Sequence, residues 1–244
     1  MGLQIIVPNA SFSYYADIVS YPVPDGLTSL FFLGGSAAAS IINHAPGGVA
    51  AVEVGTVGYF DQYAEFTGNG PDNHLQTEDL DDSTNITHIA VRRLPDPLGT
   101  APSGRSIFSH FGSTPAAGMS MMHSFASCSN GAGGSAAPKF IPGVSVGSEP
   151  NFAFRAAIIS GDSIKAYASI AGVVTEGETG TLARSTDLTH PYRIGGDYHA
   201  AAGYQDRALI AMVAKHTVAL SLVQLQQVYD FLKYRYARRG LVVL

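Results

Sequence analysis

Glycine and proline set the grain of this chain. Its 27 glycines and 13 prolines are spaced so that apolar runs stay short until the C-terminal region. Glycine closes tight turns and proline breaks helices and central ladders, so this punctuation favours many short strands joined by turns. "SLFFLGG" (Ser29 to Gly35) is a brief apolar run closed by a glycine pair, and "GGVAAVEVGTVGYF" (Gly47 to Phe60) reads as one or two strands. "YAEFTGNGPDNHLQTE" (Tyr63 to Glu78) reads as a strand, a turn and a short strand around Leu75. "NITHIAVRRL" (Asn85 to Leu94) is rich in β-branched residues and stops at Pro95, which has no N–H to give to a ladder.

The clearest hairpin follows. In "NFAFRAAII", Phe152, Phe154, Ala156 and Ile158 alternate onto one face. In "SIKAYASIAG", Ile164, Ala166, Ala168 and Ile170 oppose Lys165, Tyr167 and Ser169, and Ser160-Gly161-Asp162 joins the two runs. Residues 96–150 are less regular. "GRSIFSHFGS" and "GMSMMHSFAS" form a strand pair in this reading, and "CSNGAGGSAAPKFIPGVSVGSEP" a long loop of small residues.

Only the C-terminus carries a strong helical pattern. Ser221 with Gln224 three residues on makes a capping box. Leu222, Leu225, Val228, Tyr229, Leu232 and Tyr236 recur at steps of three and four as one apolar stripe. Arg238 and Arg239 complement the dipole at the helix end, Gly240 supplies the left-handed stop, and "LVVL" is expected as an edge strand. Such a helix needs a larger surface to bury its stripe, here the edge or back of a sandwich.

Composition narrows the functions. Of 244 residues 46% are hydrophobic, enough for a sizeable core, and only 14% are charged, against the usual ~25%. That balance suits a protein lying against neighbours in an assembly. Net charge is −5 and the basic residues form no stripe, so nucleic-acid binding is not expected. The single cysteine, Cys128, is read as a free thiol, since it has no partner for an intrachain disulfide. "MGLQIIVPNASFSYY" lacks the basic and apolar regions of a secretory signal, and no run approaches the ~20 apolar residues of a membrane span. Without a signal, the glycosylation sequons at Asn9 and Asn85 carry little weight. One domain over residues 27–244, with residues 1–26 as a docking or oligomerising arm, is the expected organisation.

The order of these pieces resembles concanavalin A-like jelly-roll domains, including the laminin-G-like domains common in phage and bacterial surface proteins. Phe66, Gly68, Asp72 and Leu75 are similar to one family strand, and Gly161, Lys165, Tyr167 and Gly172 to its hairpin. Arg193-Ile194-Gly195-Gly196, the run Ala208 to Val213 and the "LS" of Leu220-Ser221 are similar to its closing strand, loop, strand and helix. The resemblance spans about residues 28–240 and implies an all-β antiparallel sandwich with one C-terminal helix. The family's usual sugar-stacking Trp is absent, as the chain has none. The resemblance further implies a non-enzymatic phage virion protein of the tail, fibre or baseplate, made in the host cytoplasm. Its partners would be other virion proteins, further copies of itself (a trimer in fibres of this kind) and a host-surface polysaccharide. The alternatives are a purely structural virion subunit, such as a head decoration or fibre base, and a glycan-cleaving enzyme.

The residues themselves argue against catalysis. Glycoside hydrolysis needs two opposed carboxylates. Glu176 and Glu178 have a spacing of two, but Gly177 and Gly180 make "VVTEGETGT" read as a turn. Ser120 in "GMSMM" lacks a nucleophile elbow, and the eight histidines fall singly, so one such as His88 reads as a core or interface residue. No cofactor is expected. Glu78, Asp79, Asp81 and Asp82 form the strongest acidic cluster, for which calcium is the alternative to a solvated loop. Glycan recognition needs an aromatic face with amides or carboxylates beside it. Two loops offer this: Asp197, Tyr198, His199, Tyr204, Gln205 and Asp206 in one, and Asn69, Asp72, Asn73 and His74 in the other.

Overall fold

A computed structural model describes residues 21–67, 72–80, 83–93, 106–113, 116–124, 127–132, 139–141, 151–181, 188–198 and 207–244. The first elements are strand β1 (Leu27–Phe32), the single-turn helix α1 (Ala37–Ser40), and strands β2 (Val52–Val54), β3 (Gly58–Phe60), β4 (Tyr63–Phe66) and β5 (His74–Gln76). Next come β6 (Asn85–Arg93), β7 (Ser106–Ser109), β8 (Gly112–Ser113), β9 (Ala116–Ala117), β10 (Met119–Ser124), β11 (Ser127–Ala132) and β12 (Lys139–Ile141). The chain ends with β13 (Ala153–Ser160), β14 (Ser163–Ile170), β15 (Val173–Thr181), β16 (Arg193–Ile194), β17 (Ala208–His216) and helix α2 (Leu222–Ala237).

Two antiparallel sheets carry the fold. The first runs β15-β14-β13-β6-β17-β4-β3, and the second β12-β11-β10-β7-β16-β5-β2. Strand β17 divides its far edge between β4, along Ala208 to Ile210, and β1, along Met212 to His216. The architecture is the antiparallel jelly-roll sandwich with one C-terminal helix.

Three layers result. Between the sheets lie Phe31, Phe66, Leu75, Ala90, Phe108, Met121, Tyr192, Ile194, Ile210 and Val213. On the back of the first sheet a second cluster joins Leu30, Phe32, Ile89, Val91, Phe154 and Ile158 to Leu225, Val228, Tyr229, Leu232 and Tyr236 of α2. The helix thus covers the back of the sandwich. Both faces of β13 are consequently buried, which explains why "AFRAAIIS" is apolar nearly throughout. The alternation expected for the hairpin is present, with the faces sorted by cover. Phe154, Ala156 and Ile158 pack toward the helix with Tyr167, while Ile159 and Ile164 pack with Ile86 and Met119. Gly161-Asp162 closes the turn, Ser160 pairing with Ser163. A bulge between Ile210 and Met212 breaks the alternation of β17, so Ala211 and Met212 both face the helix.

The helix ends follow their sequence signals. The Ser221 hydroxyl accepts from the Gln224 N–H at 3.3 Å, and the Gln224 side chain accepts from the Ser221 N–H at 2.9 Å. At the other end Leu241 N–H reaches the Tyr236 carbonyl (3.0 Å) and Gly240 N–H the Ala237 carbonyl (3.1 Å), with Gly240 at φ +79°. These are the paired bonds of a Schellman stop, which needs a left-handed residue at that point. Leu222, placed in the stripe by its spacing, is instead 47% exposed, while Leu225 on the same turn is fully buried.

Three further expectations are corrected. The small-residue run after Cys128 contributes strands β11 and β12 rather than one continuous loop. "VVTEGETGT" is edge strand β15 and not a turn, Gly177 lying in a bulge where Lys165 pairs with Thr179 but Tyr167 with Glu176, and Gly180 pairing regularly with Ile164. The acidic run does not leave Asp79 in a solvated loop: its carboxylate accepts from Lys215 Nζ (2.6 Å), Ser29 Oγ (2.6 Å) and Thr28 Oγ1 (2.9 Å). A fully buried lysine is neutralised by that loop, so the cluster's best-placed carboxylate is engaged. Asp81 and Asp82 lie outside the described residues.

Of the expected N-terminal arm, residues 1–20 lie outside the described residues, and Tyr21 and Val23 pack on the back-sheet core. No helix among the described residues is long and apolar enough to cross a membrane.

Candidate functional site

A cleft of about 620 Å³ opens at one end of the first sheet. Its framework is the β3–β4 hairpin, in which Phe60 and Tyr63 pair directly across the Asp61-Gln62 turn. Their rings stack at 4.7 Å with planes 15° apart. Cross-strand aromatic pairs of this kind stabilise a short hairpin and present a flat apolar surface. Phe60 is 43% exposed, so part of that surface faces solvent.

The hairpin tip is held from behind. Gly34, at φ +119°, sits so close that a Cβ there would lie 2.5 Å from the Tyr63 nitrogen and 2.7 Å from the Phe60 carbonyl oxygen. The adjacent Gly35 N–H donates to that carbonyl at 2.7 Å. The "GG" that closes the first apolar run therefore seats the hairpin, and any side chain at position 34 would push it away. Tyr59 is anchored by its hydroxyl, which donates to Glu53 Oε2 at 2.7 Å, and burial beside that carboxylate raises the phenol above its ordinary range.

Distant segments complete the walls. Arg93, from the end of β6, lies 5.4 Å over the Phe152 ring and 5.9 Å over the Tyr63 ring. Phe152 and Tyr63 touch each other at 5.2 Å. Gly240, Leu241 and Val242 line the remaining side. They are fixed by the C-terminal tail, where Leu244 N–H donates to the Phe152 carbonyl and Phe154 N–H to the Leu244 carbonyl. "LVVL" thus makes a short parallel bridge to Phe152. Asp61, Gln62 and Asn151 add a carboxylate and two amides to the lining. The cleft offers an aromatic platform, hydrogen-bonding groups and one cation, the set that orients a polar ligand with one apolar face.

The loops singled out by sequence fare differently. Asp197 and Tyr198 lie on a polar network over the outer face of the second sheet. Arg193 stacks 3.5 Å over the Tyr198 ring and donates to the Asp197 carbonyl (2.7 Å) and to Gln76 Oε1 (2.9 Å). The Tyr198 hydroxyl lies 2.9 Å from the Pro191 carbonyl and 3.1 Å from Gln76 Oε1, and Ser106 donates to Asp197 at 2.5 Å. His190 tilts against the Tyr198 ring at 4.3 Å. One face of Tyr198 is therefore occupied by the protein's own guanidinium.

In the other loop, Asn73 accepts from Thr56 N–H (2.8 Å) and donates to the Thr67 carbonyl (2.9 Å), bracing the turn. His74 is buried and Asp72 exposed. Asn69, His199, Tyr204, Gln205 and Asp206 lie outside the described residues. Of the residues foreseen as ligand-binding, the described ones (Asp72, Asn73, His74, Asp197 and Tyr198) are not among those that line the cleft. The signal for it was legible nonetheless in "GYFDQY" (Gly58 to Tyr63), two aromatic residues flanking an acid and an amide at a two-residue turn.

Glu176 is an exposed partner of Lys165 (2.8 Å) and Tyr167 (3.2 Å), and the Lys165 hydrogen bond draws it below the usual carboxylate range. A carboxylate held ionised in this way is not a proton donor. His88 is a core residue, its Nε2 3.1 Å from the Tyr192 hydroxyl. Among the described residues no three His, Cys, Asp or Glu side chains converge on a metal position.

No family model and no curated protein sequence matches the chain. Solved structures do. The binding domain of botulinum neurotoxin DC in complex with SialylT is similar at TM-score 0.64 and 10% identity, over 87% of this chain and 52% of that one. Domain 4 of a GH43 extracellular arabinanase from Geobacillus stearothermophilus, in complex with arabinotriose, is similar at 0.59 and 15%, over 83% and 98%. A Trypanosoma rangeli sialidase in complex with 2,3-difluorosialic acid is similar at 0.57 and 13%, over 86% and 33%. The chain spans about half the length of the toxin domains it resembles. At these identities the likeness is one of fold.

Proposed function

We propose that this chain is a non-catalytic glycan-binding sandwich whose site is the cleft beside the β3–β4 hairpin. The observation that carries the reading is the exposed Phe60–Tyr63 stack at a cleft lined by Asp61, Gln62, Asn151 and Arg93. A pyranose or furanose ring has an apolar face of C–H groups that suits an aromatic platform, and a hydroxyl rim that suits carboxylate and amide partners. The fold agrees in kind: the similar toxin and arabinanase domains were solved with sugar ligands. Attachment to a host-surface polysaccharide as part of a phage particle extends the proposal, and that setting rests on the family resemblance alone.

The test is a glycan array followed by titration calorimetry with wild type and Phe60→Ala. Phe60 is partly exposed, so the variant should stay folded. Binding that falls about tenfold, a loss of about 1.4 kcal/mol, supports the site. Binding unchanged in Phe60→Ala removes the cleft from consideration. No binding of any glycan at millimolar concentration favours a purely structural subunit.

A further inference from the structure

Arg93 stands apart from the paired cations, and it differs from the exposed Lys233 and Arg238, whose described side-chain contacts are also to a ring, in being partly buried. Lys215 is neutralised by Asp79, Lys165 by Glu176 and Arg207 by Glu65. Arg93 is half-buried at the cleft, touches two aromatic rings, and among the described residues makes no hydrogen bond or ion pair, not even with Asp61 in the same cleft. A cation–π contact uses the guanidinium's charge and leaves its five N–H donors without an oxygen acceptor. Partial burial lowers the local dielectric, which strengthens any charge pair formed there. The planar fork of a guanidinium matches a carboxylate with two parallel bonds, which an ammonium does not. Tyr63 and Phe152 hold that fork in place, so little freedom is lost when a ligand arrives.

Resting on the glycan reading of the cleft, we infer that Arg93 selects a carboxylate-bearing sugar, a uronic or sialic-type residue, over its neutral counterpart. The sugar ring would lie on the Phe60–Tyr63 platform, with its carboxylate on Arg93 and its hydroxyls on Asp61, Gln62 and Asn151.

The test uses two matched pairs of probes: trigalacturonic acid with its methyl ester, and sialyllactose with lactose. Calorimetry is run on wild type, Arg93→Gln, Arg93→Lys and Phe60→Ala, with thermal unfolding as the folding control. At least one acidic probe should bind wild type tenfold or more tighter than its neutral partner. Arg93→Gln should lower the acidic affinity about ten- to a hundredfold, the range for hydrogen bonds to a charged group, and the neutral affinity several-fold less than that, so that the ratio between the two collapses. Arg93→Lys should keep part of the preference, and rising salt should erode it. The pair that discriminates identifies the sugar class. Equal binding of acidic and neutral probes in wild type, or a preference that survives Arg93→Gln, overturns the inference. If Phe60→Ala still weakens both members of the pair in that case, the glycan site stands and only its charge selectivity falls. If neither substitution affects binding, the cleft reading falls with it.

Discussion

Lys215 Nζ and Asp79 Oδ1 meet at 2.6 Å, joining the buried end of a central strand to a loop 136 residues earlier in the chain. The lysine is fully buried, its ammonium also 4.8 Å from the Tyr192 ring, and the carboxylate is nearly so. Removing one partner strands a charge in a low-dielectric space, whereas removing both does not. Asp79→Ala should therefore destabilise by about 3–5 kcal/mol, and Asp79→Leu with Lys215→Met should recover much of the loss. Urea denaturation of the two proteins checks this, and equal losses would mean that the ammonium finds water or another acceptor.

The helix stripe makes a paired prediction. Leu232 is fully buried between α2 and the back of the first sheet, while Leu222 projects into solvent. Leu232→Ala should cost about 2–5 kcal/mol from lost transfer energy and the cavity left behind. Leu222→Ala should fall within about 0.5 kcal/mol of wild type. Similar losses at both positions would contradict the packing described.

Gly34→Ala tests how the cleft is built. A methyl group at position 34 collides with the backbone of the hairpin tip and occupies a backbone conformation that alanine resists. The expected cost is about 1–3 kcal/mol in stability. Because the displaced atoms carry Phe60 and Tyr63, sugar binding should weaken further than an equally destabilising change on the far side of the molecule would cause.

Acid should destabilise the fold before its carboxylates titrate. Burial holds His88 and His216 below the ordinary histidine value, and burial together with the nearby Arg235 charge brings His44 to about 4. For His88 the charges of Lys215 and His110 add to the effect; for His216 a hydrogen bond to the Asp25 carbonyl opposes it. Above about pH 6.5 all three are neutral whether folded or unfolded, and they contribute no slope. Below that, the unfolded chain takes up protons that the folded chain refuses, so stability falls toward pH 4. Each fully buried histidine adds at most about 1.4 kcal/mol per pH unit. Urea midpoints at pH 7, 6 and 5 should decline, and His216→Gln should flatten the decline. A flat profile would refute the assignment.

What could be read locally in the sequence was set by residues a few positions apart. The capping box of Ser221 and Gln224, the stop at Gly240, the Gly161-Asp162 hairpin and the β6 strand each depend on short-range backbone chemistry, and each forms where the pattern places it. Where local signals misled, tertiary context outweighed them. Gly177 of β15 sits in a bulge and Gly180 in a regular pair because β14 offers the strand a partner, and Asp79 is drawn out of solvent because Lys215 needs a counter-charge. Alternation tells which residues share a face of a strand, but not which faces receive a second cover, and that depends on α2 docking on the back of the first sheet. The cleft shows the same division. Its platform is the contiguous Tyr59 to Tyr63, but Arg93, Asn151, Phe152 and Leu241 come from segments that meet only through strand pairing and the returning tail. Pairing partners are chosen by the free energy of the whole sandwich, which no short stretch of this chain contains.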